Sequence, residues 1–300
     1  SSSVLATLFR RQILEVSQEL VLKKGITRLN TIKNDVSVAV QKQYEEYPYP
    51  RWINTKLEIE PYSIERIMNA LELRVINDIN LLSEFPQILI AGCGTGQHSL
   101  STASRFKNSH VTAIDLSFSS LGYAKRKTEE LGLTNIDYLQ ADILDLSMLN
   151  KKFDLIESAG VLHHMADPIA GWKALTNCLK PNGLMKIGLY SNLARHQIAK
   201  LRDKIAGENI PPNNSGMLQF RRRISKLNYL ELNTVKESID FYSTSTVRDL
   251  LFHVQEHRFT IPQISEVLDD LGLAFMGFEF ADKTKKFFKM SYPKDDALYD

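Results

Sequence analysis

Gly92-Cys93-Gly94-Thr95-Gly96 places three glycines in a G-x-G-x-G loop directly after the apolar run Ile88-Leu89-Ile90-Ala91. Glycines let a backbone turn sharply and let a ligand lie against the main chain. A dinucleotide fingerprint needs glycine at its first, third and sixth positions. Counting from Gly92, the sixth is Gln97, so that pattern fails. No Lys-Ser or Lys-Thr follows, so the loop is not a phosphate-cradling P-loop either. It suits a nucleoside ligand that lacks a pyrophosphate. Asp115 ends the next apolar run, 19 residues beyond Gly96. That is near the spacing of about 20 at which a carboxylate receives ribose hydroxyls. Asp142 closes a third run, where it is placed to accept a hydrogen bond from an adenine amino group.

These residues need a scaffold that brings strand ends together. Ile88 to Ala91, Val111 to Ile114, Ile136 to Leu139, Phe153 to Ile156 and Leu184 to Tyr190 read as five buried strands. The last follows a Lys180-Pro181-Asn182-Gly183 turn, and Tyr123 to Leu131 is a helix closed by Gly132. Alternation of strands and helices predicts an α/β fold, a Rossmann-like, doubly wound, mostly parallel sheet. Such sheets bind ligands beyond the carboxyl ends of their strands. Residues 192–258 break the rhythm with helical pieces at 198–205 and 219–227 around a Pro211-Pro212-Asn213-Asn214-Ser215-Gly216 loop. We read them as a helical cap over the strand ends. Thr260 to Leu271 predicts a helix and Ala274 to Phe280 a final strand. The chain thus divides into an N-terminal helical and aromatic segment (1–80), a cofactor-binding core (81–191), the cap (192–258) and a C-terminal helix and strand (259–300). In the first segment, Leu5, Leu8, Phe9, Ile13, Val16 and Leu20 predict an amphipathic helix packed on the main domain.

The 300 residues are 43% hydrophobic and 24% charged, enough to build a sizeable core and too regular for a disordered, collagenous or coiled-coil chain. A formal net charge of +2 announces neither a nucleic-acid nor a membrane partner. Cys93 and Cys178 are too few for a disulfide framework or a multi-cysteine zinc site, so the expected location is cytoplasmic. No apolar run approaches the roughly 18 residues of a membrane span.

Taken in order, ILIAGCGTGQHSL, VTAIDLS, QADILDL, FDLIESAGVLHHMADP and LKPNGLMKIGLYS resemble the motifs of class I S-adenosylmethionine-dependent methyltransferases over residues 88–191. The resemblance implies S-adenosyl-L-methionine as cofactor, with S-adenosyl-L-homocysteine as product. It implies that Gly92, Gly94 and Gly96, with Cys93, Thr95 and His98, line the methionine and ribose parts. By the same carry-over, Asp115 and Leu116 hold the ribose, and Ala141, Asp142 and Ile143 frame the adenine. Ser158, Ala159 and Gly160, through to His163, floor the methyl-transfer site. The residue two before Gly92 is commonly acidic in that family and helps place the cofactor's ammonium group; here it is Ile90. A looser resemblance, through YEEYPYPRW (44–52) and FYSTSTVRDLLFHVQEHRFTIPQI (241–264), is to methyltransferase domains fused behind tetratricopeptide repeats in bacterial proteins. It admits an upstream tetratricopeptide-repeat domain as partner. In that group a further antiparallel strand ends the domain. Here Phe287 to Tyr292 is the segment available for it, and the chain reads as cut short at both ends.

Methyl transfer is an in-line displacement at a sulfonium, so alignment matters most and a base is optional. Spacing alone identifies no base. His163, His253 and Tyr242 are the candidate catalytic residues. Tyr47, Tyr49, Arg51 and Trp52 on the proline-stiffened segment, with Asp249 and His257, are the candidate acceptor-binding residues. His253-Val254-Gln255-Glu256-His257 also matches an inverted zinc-protease pattern if both histidines share a helical face, but it lacks a third ligand, so no metal is expected. Arg221-Arg222-Arg223 is a basic run without interleaved aromatics, and no Asn/Asp-Pro-Pro-Tyr/Phe signature follows the fourth strand. Nucleic acid is therefore not the expected partner. The reading is an enzyme that methylates O or N of a small molecule or peptide. The alternatives are an RNA or protein methyltransferase, and a module that binds the cofactor without turnover.

Overall fold

The computed structural model describes residues 2–74, 83–226, 235 and 239–293. Six parallel strands form one sheet: β1 (Thr27–Arg28), β2 (Gln87–Ala91), β3 (His110–Asp115), β4 (Ile136–Gln140), β5 (Phe153–Ala159) and β6 (Leu179–Gly188). Their order is β1-β4-β3-β2-β5-β6. The direction of winding reverses at β2, which has β3 on one side and β5 on the other. That is where a doubly wound sheet opens a crevice at its carboxyl edge.

The central strand is apolar throughout because both its faces are covered. Ile88 and Ile90 enter one core, with Leu121 and Phe106, while Leu89 and Ala91 enter the other, with Trp172 and Leu175. Full burial of each Ile or Leu here is worth about 1.5–3 kcal/mol. The loop that leaves this strand therefore starts from a firmly held point. The flanking helices are α1 (Ser2–Phe9), α2 (Glu15–Leu22), α3 (Asp35–Glu46), α4 (Ile64–Ala70), α5 (Gln97–Arg105), α6 (Phe118–Glu130) and α7 (Pro168–Asn177). Asn34 caps α3 and Ser117 caps α6 by accepting orphan backbone N–H groups, which fixes where each helix begins.

Beyond β6 come α8 (His196–Gly207), α9 (Asn214–Lys226) and α10 (Thr244–Phe252), which share a core of their own around Phe220, Phe241 and Leu251. The chain leaves and re-enters the main domain at one point, where Ser191 bridges Phe259. Then α11 (Ile261–Asp270) and α12 (Asp282–Ser291) follow.

Several expectations are corrected. Residues 274–280 form no strand. Gly277, at φ +128°, interrupts the extended run, and Glu279 meets β6 through a side-chain pair with Lys186. Phe287 to Tyr292 is not a strand but the end of α12 and its cap, with Phe288 and Tyr292 meeting at helical i, i+4 spacing, ring centroids 5.2 Å apart. Lys180 to Gly183 lies inside β6, as a bulge where the register jumps from Phe153↔Leu179 to Leu155↔Leu184, and β6 ends at Gly188. The helix over 5–20 forms, with a π-helical turn at Arg10–Leu14, but Leu5, Leu8, Phe9, Ile13 and Leu20 stay exposed. Its polar side does the packing: Glu15 and Glu19 both pair with Arg126 of α6. β1, at the sheet edge, carries no signal of its own in sequence. The 80/81 boundary and Leu227, the expected end of a cap helix, lie outside the described residues.

Candidate active site

The crevice at the carboxyl ends of β2, β3, β4 and β5 holds a cavity of about 350 Å³. This is within the usual size of a small-ligand site. Its floor is the glycine loop. Gly92 stands at φ +77°, and a Cβ there would meet the Val161 side chain at 2.2 Å. Gly96 begins α5 at φ +86°, and a Cβ there would stand 2.6 Å from that of Ala124. Both positions thus demand glycine, on backbone and space alike. Asp115 grips the loop from β3. Its carboxylate accepts the backbone N–H of Gly94 at 2.8 Å and that of Ser117 at 2.9 Å. Burial pushes its carboxyl up to about 6, against the lowering effect of those two N–H donors.

Many sequence-expected residues converge on this cavity. Gly92, Cys93, Gly94, His98, Asp115, Leu116, Ala141, Asp142, Ile143, Ala159 and Gly160 line it, and so do Tyr49 and Asp249 from the acceptor set. Others sit behind the wall. The Thr95 hydroxyl donates to the Pro50 carbonyl, and the Thr95 carbonyl accepts the indole N–H of Trp52 at 3.1 Å. Ser158 Oγ donates to the Ala91 carbonyl at 3.0 Å. Arg51 lies over the Tyr123 ring and near Glu19, while the Tyr47 hydroxyl donates to Asn214 at 2.9 Å. The aromatic segment is therefore mostly a strap holding the loop, with Tyr49 and Pro50 its residues on the cavity.

The histidines divide similarly. His163 is fully buried, stacked on Tyr190 with centroids 3.7 Å apart, and both its ring nitrogens lack partners. Burial first, then His164 and Arg195, hold its pKa down at about 2, so it stays neutral. His257 is turned toward the Gln255 amide at 3.0 Å. Tyr242 is exposed and does not line the cavity. The expected helical face for His253 and His257 is absent. α10 stops at Phe252, and His253 is extended at φ −60°, ψ 142°. Its carbonyl is taken by Arg202 at 2.8 Å and its Nδ1 by the Gln255 N–H at 3.2 Å, which replaces the helical ladder.

His253 instead joins His164 and Asp249, with one donor atom of each within 4.8 Å of the others. Two imidazoles and a carboxylate are a zinc-type donor set. The His164 and His253 rings, however, are stacked 18° from parallel with centroids 3.5 Å apart. Their in-plane lone pairs run side by side and do not converge on one point. The residues present do not fit a metal.

Sequence reasoning missed the wall supplied by α3, where Ser37, Val40 and Tyr44 face the cavity. Their three- and four-residue spacing on one helical face was the available signal. It also missed Tyr190, just past β6, and Glu157. Glu157 stands beside Ile90 in the β2–β5 register, buried. It accepts from His98 Nε2 at 2.9 Å, Thr102 Oγ1 at 2.6 Å and Arg105 at 2.8 Å. The acid absent from position 90 is thus present one strand away, linked to the cavity through His98.

Residues 88–183 match the family model described as "Methyltransferase domain". They form a methyltransferase domain. An uncharacterized protein of Synechococcus sp. is 30% identical over 66% of the chain and 49% of its own length. A ubiquinone biosynthesis O-methyltransferase of Actinobacillus pleuropneumoniae is 36% identical over 33% of the chain and 43% of its own length. Among solved structures, PKMT2 from Rickettsia typhi in complex with AdoHcy superposes with a TM-score of 0.54 at 19% identity, over 69% of this chain and 44% of that one. That likeness shows the fold: the methyltransferase domain lies in a doubly wound α/β sheet of the same kind. The chain spans half or less of the length of the curated relatives it matches first, 49% and 38%.

Proposed function

We propose that this chain transfers the methyl group of S-adenosylmethionine to an oxygen or nitrogen of a small molecule or peptide. One observation carries the reading. A single cavity joins the glycine loop, Asp115 and Asp142 at one end to Tyr44, Tyr49, Tyr190, His164 and Asp249 at the other. The first end has the parts a nucleoside needs: backbone in close approach, a carboxylate for ribose hydroxyls, and Ala141-Asp142-Ile143 for the adenine. The second end presents aromatic rings, whose negative faces favour a sulfonium and an incoming acceptor alike.

Bound there, the cofactor would supply an electrophilic methyl. The chain's own work is alignment and exclusion of water, through the cap and the strap at residues 47–52. His98 takes the place of the missing acid at position 90. Glu157, held below the usual carboxylate range at about 2, is acceptor-only toward His98 Nε2. Burial would push Glu157 up, but His98, Arg105 and Thr102 outweigh it. With Nε2 donating to Glu157, Nδ1 is the ring atom left for the cofactor's ammonium group. Arg223 pairs with Glu208 and Arg221 donates to the Tyr242 carbonyl, so the basic run does not favour the RNA alternative.

Among the described residues, no helix is long and apolar enough to cross a membrane. Both cysteines are buried and free, which fits a reducing, cytoplasmic setting. An upstream tetratricopeptide-repeat partner belongs to the same proposal, and its support is the motif resemblance at 44–52 and 241–264. Calorimetry with S-adenosylmethionine tests the core of the reading. Micromolar binding by the wild type, lost in Asp115→Ala, is expected, whereas no binding by the folded wild type would overturn it.

A further inference from the structure

The acceptor end of the cavity holds a hydrogen-bond chain whose direction is settled by a backbone amide. The Gln255 N–H points at His253 Nδ1, 3.2 Å away. An N–H can only donate, so Nδ1 carries no proton. Burial, reinforced by His164 and Arg202, holds His253 well below its ordinary pKa, hence neutral, with its one ring proton on Nε2. That nitrogen lies 3.2 Å from the Tyr44 oxygen, to which it donates. The single Tyr44 proton is then committed to Asp249 Oδ1, at 2.6 Å. The chain runs Gln255 N–H to His253, His253 to Tyr44, and Tyr44 to Asp249. Every link is a donor toward the carboxylate, and Asp249 is the member that lines the cavity together with Tyr44.

We propose that Asp249 receives the proton of the acceptor during methyl transfer, with Tyr44 and His253 as the residues that position it. This deepens the proposed function and rests on it. The acceptor is then a group that carries a removable proton, X–H, where X is oxygen or nitrogen. The pair on X forms the bond to the methyl carbon. The C–S bond breaks with its electrons staying on sulfur, which becomes a neutral thioether. The X–H proton passes to the Asp249 carboxylate and from there to water. The sum is methylated acceptor, S-adenosylhomocysteine and one proton, with no further reagent.

The surroundings suit such a base. Burial pushes the Asp249 carboxyl up to about 6. The Tyr44 hydrogen bond and Arg195 pull it down, while Asp240 and Glu256 push it up. Tyr49 and Tyr190 face the same space, each with its own pKa raised, first by burial, and so uncharged. His164 and His253 are neutral by burial. Glu256 is already matched by Arg195 at 2.6 Å and by Arg202 at 3.9 Å. Asp240 accepts the Tyr49 hydroxyl at 3.3 Å and does not line the cavity, whereas Asp249 does, ionised at pH 7 and able to take up a proton there.

The test needs no knowledge of the acceptor. Sinefungin carries an amine where S-adenosylmethionine carries its methyl, and S-adenosylhomocysteine carries nothing there. The ratio of their dissociation constants, taken by calorimetry within each variant, cancels general changes in the site. In the wild type at pH 7.5 sinefungin should bind more tightly, and Asp249→Asn should cut that preference at least fivefold. The wild-type preference should fall between pH 7.5 and 5, as the carboxylate takes up a proton, and stay flat in Asp249→Asn. Tyr44→Phe, which keeps the ring, should move the midpoint of that fall to higher pH by removing a bond that favours the ionised form. Equal preference in wild type and Asp249→Asn, or a wild-type preference indifferent to pH, overturns the proposal. Should Asp249→Asn not fold, an unmoved midpoint in Tyr44→Phe does the same. A folded wild type that binds neither nucleoside refutes the cofactor reading instead.

Discussion

Glu157 offers the most direct check on how the sheet supports the cavity. It is buried on β5 and accepts from three side chains of α5: His98, Thr102 and Arg105. Its carboxyl falls from 4.5 to about 2 in the fold, because those partners outweigh the burial that would raise it. A depressed carboxylate contributes stability above its unfolded pKa and loses it as pH falls through the folded value. The shift of about 2.5 units corresponds to about 3 kcal/mol at 1.36 kcal/mol per unit. Glu157→Gln keeps the shape, removes the charge and leaves Arg105 without its anion. It should therefore lower the unfolding free energy by about 3 kcal/mol at pH 7, with the gap to wild type shrinking to about 1 kcal/mol near pH 3. Urea unfolding followed by tryptophan fluorescence, with Trp52 and Trp172 as probes, measures this across pH. A loss below about 1 kcal/mol at pH 7, or one that does not vary with pH, would refute the claim that the His98–Thr102–Arg105 cluster holds Glu157 ionised.

Two further outcomes follow from the same geometry. Asp115, with its carboxyl near 6, must be ionised to accept ribose hydroxyls. S-adenosylmethionine should thus bind most tightly above pH 6 and several-fold more weakly at pH 5, and a dissociation constant unchanged over that range in calorimetry contradicts the assignment. Gly96→Ala should cost about 2–4 kcal/mol, combining left-handed backbone strain with overpacking against Ala124. Gly132→Ala, at φ +71° with open space around it, should cost about 1–2 kcal/mol. Thermal unfolding of the pair separates the clash from the backbone effect, and equal losses would remove the claimed close approach.

The central part of the fold is legible in the chain because its signals are local. An apolar run of four residues, a glycine turn and a terminal acid each announce a strand end without reference to anything distant. The same locality explains the misreadings. Ala274 to Phe280 is apolar enough for a strand, but the Gly277 conformation breaks it. His253 to His257 has helical spacing, yet Arg202, from another element, takes the carbonyl that a helix would have used. The cavity wall built by Tyr44 and Asp249 was least legible. Tyr44 and Asp249 are 205 residues apart and meet only because α3 and α10 close over the same crevice.

What the sequence by itself determined is the half of the cavity at the glycine loop: three glycines and the acids at 115 and 142 mark positions where backbone conformation and strand termini leave few alternatives. What only the tertiary structure decided is the opposite half, walled by Tyr44, Tyr190 and Asp249, and the support beneath the cavity. There Glu157, one strand beyond Ile90, holds His98, and a histidine's tautomer is set by an amide two residues on. Such assignments depend on which groups are buried together, because a polar atom removed from water must find its partner wherever the fold brings one.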